Sequence, residues 1–477
     1  MQFRSIFILL VVQLVASSHF KALAQPSESS VKDRVSSFVQ REIPRLGKKA
    51  KAGIAVADAV SGDLIFSYHE TEQLTPASIL KIITSAVVLR ELGSEYRFVS
   101  DVYIDRTGAK PADLYFEGSG DPSLVSERLW LLAQDIQARG VKQVRDIIVD
   151  DSRFLGAKDA LGPRAYQAGM SAVSLNHNCY AVQVTPSTPG KPAHVTVTKG
   201  LDAEVINNVT TVSTGETRVS VAITGEPGSP APAGSGAKRP RLVVSGTIHQ
   251  KKREKVSYQT VSSPPHYLGS VFRTLLEGEG VVVTGRVREG KIPTTAELLT
   301  STESKDLALV LRDLNHYSNN FIADQLVFQL GRDETDQFQH ALGIEKMTRY
   351  LERLGFSRTS FAIFDGSGLS RSNRLTAMQL VSVLTDLYRD FGVAPTFTSS
   401  LSRFGLSGTL KKRRLNSGGA EVWAKTGTLN GVKTLAGYAA SPAGRRFAFV
   451  VMINGHQSGD RVDAFEEGLL EALTANG

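Results

Sequence analysis

The sequence predicts an α/β protein whose main sheet is assembled from both ends of the chain and is interrupted by inserted β-rich domains. Three observations carry this. Two strand-like runs and a strong helix stand near the start. Three strand-like runs and a helix close the chain. The long middle is dominated by short Val/Ile/Thr runs broken by Gly and Pro. At roughly 150 residues per domain, a chain of 477 residues holds about three domains or one large interrupted one. With 41% hydrophobic residues the chain can offset the entropy of ordering, which excludes disorder for its bulk.

Residues 1–24 read as a secretory leader. Met1–Arg4 is positive, Ile6–Ala16 is apolar except for Gln13, and Ala22-Leu23-Ala24 forms an A-x-A cleavage signal before Gln25. The apolar run is too short for a membrane-spanning helix, which needs about 20 residues, and no other segment is long and apolar enough. Cleavage removes Arg4 and Lys21 and no acid, lowering the formal charge from +8 to +6. The expectation is an exported protein without a transmembrane anchor, periplasmic or associated with a cell wall.

Val31, Val35, Phe38 and Val39 share one side of a helix over Val31–Ile43, which Pro44 stops. Ala52–Ala57 and Leu64–Tyr68 read as strands around a Ser61-Gly62 turn. Thr75 then caps a helix with Pro76 in its first position, apolar at helical spacing from Ile79 to Leu92 and ended by Gly93. From Tyr96 to Ile292 the pattern is β-rich. Within it, Thr224–Arg241 holds four Pro and four Gly between the strand-like runs Arg218–Ala222 and Leu242–Thr247, and reads as a mobile loop on an inserted domain. Helices follow at Asp306–His316, Phe321–Leu330, Ile344–Leu354 and Ala377–Phe391. Strands Val422–Thr428, Thr434–Ala439 and Arg446–Ile453 come next, the last two joined by a Ser441–Gly444 turn, with a closing helix over Arg461–Ala475. Strands at both ends with helices between them imply one mixed sheet built from the two termini.

Composition narrows the chemistry. The single cysteine, Cys179, rules out an intramolecular disulfide and a Cys-rich zinc site. The nine histidines are scattered with no HExxH and no paired His/Cys cluster, so metal catalysis is not expected. Lys411–Arg414 and Lys251–Arg253 read as solvated loop ends. The mild basic charge can also draw an exported protein to an anionic polymer such as the cell wall. No nucleic-acid recognition motif accompanies it.

Three short motifs stand in order: Ser78-Ile79-Leu80-Lys81 is S-x-x-K, Ser318-Asn319-Asn320 is S-x-N, and Lys425-Thr426-Gly427 is K-T-G. S-x-x-K recurs at Ser29–Lys32 and S-x-N at Ser174–Asn176. Context separates the copies: Ser29 lies in a polar stretch past the cleavage site and Ser174-Leu175-Asn176 among strand-like residues. Ser78 falls in the first turn of a well-signalled helix, with Lys81 one turn on along the same face. A serine hydroxyl needs a neighbouring base, and no G-x-S-x-G elbow supports a histidine-dependent hydrolase. A lysine serves if burial and nearby cations lower its pKa, and Lys425 can be such a cation for Lys81. The helix N-terminus favours negative charge developing at Ser78. Ser318 can relay a proton to the leaving amine, and Asn320 can bind a substrate amide and orient Lys81. Lys425 and Thr426 can hold a substrate carboxylate, and the backbone N–H groups of Ser78 and Thr428 can form an oxyanion hole.

These motifs, with Leu114–Leu124 (LYFEGSGDPSL), Val149–Phe154 (VDDSRF), Ala172–Asn178 (AVSLNHN), Phe364–Arg374 (FDGSGLSRSNR), Ser407–Leu410 (SGTL) and Ala424–Tyr438 (AKTGTLNGVKTLAGY), resemble the class C low-molecular-mass penicillin-binding proteins. These are D-alanyl-D-alanine carboxypeptidase/endopeptidases of the penicillin-binding protein 4 type. The likeness covers nearly the whole mature chain, including the gap of 240 residues between Ser78 and Ser318, where related β-lactamases are short. It implies a penicillin-binding/serine β-lactamase-like transpeptidase domain over 25–95 and 293–477. Two inserted domains would fill 96–292, the second nested around 185–260. It further implies a cofactor-free serine acyl-enzyme, peptidoglycan stem peptides as substrate, and β-lactam antibiotics as inhibitors that acylate the same serine. A diaminopimelate side chain beyond the scissile bond would find Asp150 and Asp151 for its ammonium, Arg371 for its carboxylate, and Asn430 beside it. Two other functions stay open on the same fold: a catalytically idle wall-binding scaffold and a β-lactamase.

Overall fold

The computed structural model describes residues 28–475 except 109, 157–159, 161, 202, 225–239 and 417. The leader and most of the Pro/Gly-rich stretch lie outside the described residues. That stretch leaves and rejoins a paired position, Thr224 opposite Arg241, between the antiparallel strands Arg218–Thr224 and Arg241–His249.

The termini do share a sheet. Its six strands run in the order Ser402–Arg403, Glu421–Leu429, Val432–Ala440, Arg446–Asn454, Lys51–Asp58, Leu64–Tyr68. Every pairing is antiparallel, so the sheet is not mixed as the sequence suggested. The physical reason is local: four of the five pairings, all but that between the two chain ends, join strands adjacent in sequence, which antiparallel geometry allows without a helical crossover. Both faces are covered. Ile54, Val56, Phe449 and Val451 face the terminal helices Glu28–Glu42 and Gly459–Thr474, which contribute Val31, Val35, Leu469 and Leu473. The alternate residues Ala55, Ala57, Val450 and Met452 face the helices Lys81–Leu92, Leu307–His316, Asn320–Leu330, His340–Arg353 and Ala377–Arg389. Double coverage is why Arg446–Asn454 reads as a nearly unbroken apolar run.

The middle of the chain builds a second core. Five strands in the order Val287–Glu289, Ile147–Asp150, Asp113–Glu117, Val99–Asp105, Glu297–Glu303 pack against helices Ser126–Ala138 and Pro264–Gly278. Two three-stranded sheets adjoin them. The strand Glu297–Glu303, which sequence reading put in the terminal unit, pairs with Val99–Asp105 in this second sheet.

Candidate active site

The backbone around Ser78 departs from the expected helix start. Thr75 does not cap: its hydroxyl accepts from Arg374 Nη1 (3.2 Å), and its amide donates to Asn454 Oδ1 (2.9 Å). Ala77 takes a left-handed φ of 49°, and a single 3-10 turn, Ala77–Leu80, precedes the α-helix Lys81–Leu92. Ser78 therefore lies one turn ahead of the α-helix. A non-glycine left-handed residue is costly and persists where the surroundings over-determine it. Those surroundings are tight. A Cβ on Gly368 would meet the Ala77 carbonyl oxygen and approach the Ser78 amide to 3.1 Å. A Cβ on Gly427 would meet Thr434 Oγ1 and come within 2.9 Å of the same amide.

Lys81 is fully buried beside Ser78. Its Nζ lies 3.0 Å from Ser78 Oγ, 2.8 Å from Asn320 Oδ1 and 2.5 Å from the Ser367 carbonyl oxygen. Burial pulls its pKa down to about 8, while the carboxylates of Asp324 and Asp365 act in the opposite direction. Lys425, also fully buried, donates to Ser318 Oγ and to the Thr426 carbonyl, each at 2.8 Å. Burial holds its pKa well below the lysine range and the charge of Lys81 lowers it further. Sequence reasoning made Lys425 a cause of the depression at Lys81. In the structure burial is the leading cause at both lysines.

Ser318 has φ 55° in the short turn between the helices Leu307–His316 and Asn320–Leu330. Asn319 caps the second helix, its Oδ1 accepting from the Ile322 amide at 3.2 Å, which leaves Asn320 in the first helical position, aimed at Lys81. The other S-x-N copy lies in a turn, not in a strand, with Asn176–Asn178 in the left-handed region. Thr426, on the strand Glu421–Leu429, bonds Thr409 Oγ1 of the SGTL segment at 2.8 Å, and Thr428 is exposed on the same strand. Among the described residues, no group of three or more His, Cys, Asp or Glu could hold a metal ion, and no helix is long and apolar enough to cross a membrane.

The four residues assigned to a distal side chain split into two pairs. Arg371 and Asn430 are exposed together, and Arg371 Nη2 donates to the Asn430 carbonyl at 2.9 Å. Asp150 and Asp151 are not part of the lysine–serine cluster. The Asp150 carboxylate is buried and accepts from the amides of Ser152 (3.0 Å) and Ile292 (2.9 Å). Asp151 accepts from Ser171 Oγ (2.8 Å) and the Val173 amide (3.1 Å), and burial raises its pKa to about 6 against those bonds.

Sequence reasoning missed the support behind Lys81. Asp365 takes the amides of Gly368 (2.7 Å) and Ser370 (2.6 Å) and the Asn373 side-chain amide (2.9 Å), fixing the loop that presents the Ser367 carbonyl. Asp324 holds the Gly366 amide at 2.9 Å. The only signal was a Gly/Ser/Asp-rich segment, Phe364–Arg374, typical of a built turn.

The profile of the D-Ala-D-Ala carboxypeptidase 3 (S13) family matches residues 31–474. A D-alanyl-D-alanine carboxypeptidase of an Actinomadura species is 32% identical over 437 residues, covering 85% of this chain and 78% of the relative. The crystal structure of penicillin binding protein 4 from Haemophilus influenzae superposes with a TM-score of 0.75 at 23% identity, over 92% of this chain and 99% of that one. A penicillin G-acylated predatory endopeptidase of Bdellovibrio bacteriovorus, in complex with its immunity protein, shares the fold. Its TM-score is 0.51 at 15% identity, over 90% of this chain and 93% of that one.

Proposed function

The chain belongs to the D-Ala-D-Ala carboxypeptidase 3 (S13) family and is a serine-type D-Ala-D-Ala carboxypeptidase. From that premise we propose that Ser78 is its acylating nucleophile and Lys81 the base. The observation that supports this most directly is the fully buried Lys81 Nζ at 3.0 Å from Ser78 Oγ, held by Asn320. Neutral Lys81 accepts the hydroxyl proton as Ser78 Oγ bonds to the carbonyl carbon of the penultimate D-Ala. The oxyanion is met by the backbone N–H groups of Ser78 and Thr428. Ser318, held by Lys425, passes a proton to the departing amine, and the C–N bond breaks to release D-Ala. Water then cleaves the ester and returns Ser78. Lys425 and Thr426 receive the terminal carboxylate.

The reading extends to the D-Ala-diaminopimelate crosslinks of peptidoglycan, where Arg371 and Asn430 at the rim meet the distal carboxylate, and to acylation by β-lactams at Ser78. The described acylated endopeptidase of the same fold supports both. Export to the periplasm or wall goes with the leader-like segment and with such a substrate. The division proposed is a discontinuous peptidase unit with inserted β-rich domains between its halves.

A fluorescent penicillin tests the reading on the wild type, Ser78→Ala and Ser29→Ala. The expected result is a stable adduct in all but Ser78→Ala, with D-Ala released from acyl-D-Ala-D-Ala by the same proteins. No adduct and no D-Ala would indicate an idle scaffold, and rapid penicillin turnover a β-lactamase. Labelling lost only in Ser29→Ala would mean the other S-x-x-K is the nucleophile. Mass analysis of digested dimeric muropeptides decides the endopeptidase claim.

A further inference from the structure

The helix Asn320–Leu330 is buried over most of its surface because two cores share it. Ile322, Ala323, Leu326, Val327 and Leu330 face the core of the peptidase unit. Phe321 and Phe328 face a separate cluster with Phe154, Met170, Cys179 and Phe338. Positions 321, 325, 328 and 329 form one stripe, and two of them are buried glutamines, which packing alone does not require. Gln325 Nε2 donates to the Ser171 carbonyl (2.6 Å), the Gly120 carbonyl (3.2 Å) and Ser174 Oγ (3.4 Å), and Gln329 Nε2 donates to the Ser119 carbonyl. The donor end of each buried amide is bonded, so these side chains fix the rotation and height of the helix in a way aliphatic residues would not.

Opposite the first turn of this helix stands an unusual piece of backbone. Asn176, His177 and Asn178 are consecutive left-handed residues with φ of 51°, 57° and 52°. Asn and His tolerate this conformation better than most side chains, but three in succession need external support. They have it. Asn176 accepts from the Ser126 amide (3.1 Å) and donates to Ser126 Oγ (2.8 Å) and Tyr267 OH (3.2 Å). Asn178 accepts from the Leu175 amide (3.2 Å) and donates to the Gly169 carbonyl (2.9 Å) and Ser174 Oγ (3.1 Å). Between these two anchors the turn presents the His177 ring, its centroid 5.6 Å from that of Phe321. Phe321 is the residue next to Asn320.

We propose that His177 and Gln325 are positioning residues: through them the inserted β-rich region grips the helix Asn320–Leu330 and keeps the Asn320 amide on Lys81. The grip matters because Asn320 Oδ1 accepts from Lys81 Nζ at 2.8 Å, and a displacement of about 1 Å in a catalytic group costs up to about 100-fold in rate. This rests on the reading of Lys81 as base, so the test includes a measurement independent of activity.

Three variants separate the possibilities. His177→Asn keeps tolerance for the left-handed backbone and removes the ring. His177→Phe keeps a ring. Gln325→Leu keeps apolar bulk and removes three hydrogen bonds. Acylation by a fluorescent penicillin, kcat and KM on acyl-D-Ala-D-Ala, thermal melting, and the Lys81 titration followed by 13Cε NMR are measured on each. His177→Asn and Gln325→Leu are expected to lose about tenfold in acylation and kcat, with KM within about twofold. Lys81 loses an acceptor that favours its ammonium, so its midpoint moves to lower pH; Asp324, on the same helix, shifts with Asn320 and acts in the same direction, while Asp365 and Lys425 lie on other elements. His177→Phe is expected within about twofold of wild type. A lowered melting temperature with unchanged kcat and unchanged Lys81 titration would overturn the proposal, as would His177→Phe behaving like His177→Asn. A shifted Lys81 midpoint in a wild type that does not acylate would leave the grip standing and remove the base.

Discussion

If Lys81 is the base, its protonation sets the pH dependence of acylation, and the structure gives the scale. With a pKa of about 8, roughly one-tenth of the lysine is neutral at pH 7, against about 1 in 2,500 for a lysine titrating near its ordinary 10.4. Acylation should therefore rise about tenfold from pH 7 to a plateau above pH 9. The perturbation that tests the cause is Asp324→Asn. Asp324 Oδ1 accepts the Gly366 amide at 2.9 Å, a bond asparagine can keep, while the substitution removes one of the two negative charges that favour the ammonium. The acid limb should move down by about 0.5–1 pH unit, worth about 0.7–1.4 kcal/mol, and acylation at pH 7 should increase about three- to fivefold. Lys81→Arg should be inactive throughout, because a guanidinium does not deprotonate. Stopped-flow acylation by a fluorescent penicillin between pH 5 and 10 reads all three proteins. A wild-type limb above pH 10, an Asp324→Asn limb that stays in place, or an active Lys81→Arg would refute the reasoning.

The same depression has a sign in stability. Lys81 titrates lower folded than unfolded, so between about pH 8 and its ordinary 10.5 the unfolded state binds more protons and stability rises with pH. Below pH 8 the whole cost of the buried ammonium, about 3 kcal/mol, is present and constant.

Two further outcomes follow from contacts around the site. Gly427→Ala should reduce penicillin labelling by about 100-fold or more, because a Cβ there meets Thr434 Oγ1 and the Ser78 amide; ordinary labelling would show that the approach is not tight. Arg371→Ala should lose about 10–150-fold in kcat/KM on diaminopimelate peptides and little on short acyl-D-Ala-D-Ala mimics. Asp150→Ala and Asp151→Ala should lose equally on both and melt earlier, since their carboxylates serve backbone amides and Ser171; a loss confined to diaminopimelate peptides would return them to the substrate.

What was readable in the sequence was local. Helical spacing from Ile79 to Leu92 and the strand pattern of Arg446–Ile453 placed Lys81 and the central sheet, and three motifs named Ser78, Ser318, Asn320 and Lys425. What was not readable depended on contacts between distant segments. The left-handed Ala77 has no signal of its own, because alanine there is held by Gly368 and Gly427 pressing from other elements. Asp150 and Asp151 read as strand-end acids available to a substrate ammonium; only the fold shows Ile292, Ser171 and Val173 bonded to them. Likewise Phe321–Leu330 read as helical, but a helical pattern does not state that two cores divide its faces.

The 240 residues between Ser78 and Ser318 raise a physical question: how can so long a detour leave a site intact whose parts must meet within 3 Å? The neck of the insertion answers it. The outgoing strand Val99–Asp105 and the returning strand Glu297–Glu303 pair antiparallel, ending with Val99 opposite Glu303. Beyond that pair, Ser304 donates its amide to the Phe98 carbonyl (2.8 Å) and accepts the Phe98 amide on its Oγ (2.9 Å). The two ends of the excursion are thus fixed beside each other, and from the standpoint of the peptidase unit the insertion behaves as a short closed loop whose length carries little further entropic cost. Such a neck alone would let the inserted region hang as a passive appendage. The buried glutamines and the left-handed turn argue that it does not: it returns to the helix bearing Asn320 and makes a second attachment beside Lys81. A region tied at its neck and again at the active-site helix cannot move as a free body without disturbing Asn320, so its removal should cost catalysis as well as substrate selection.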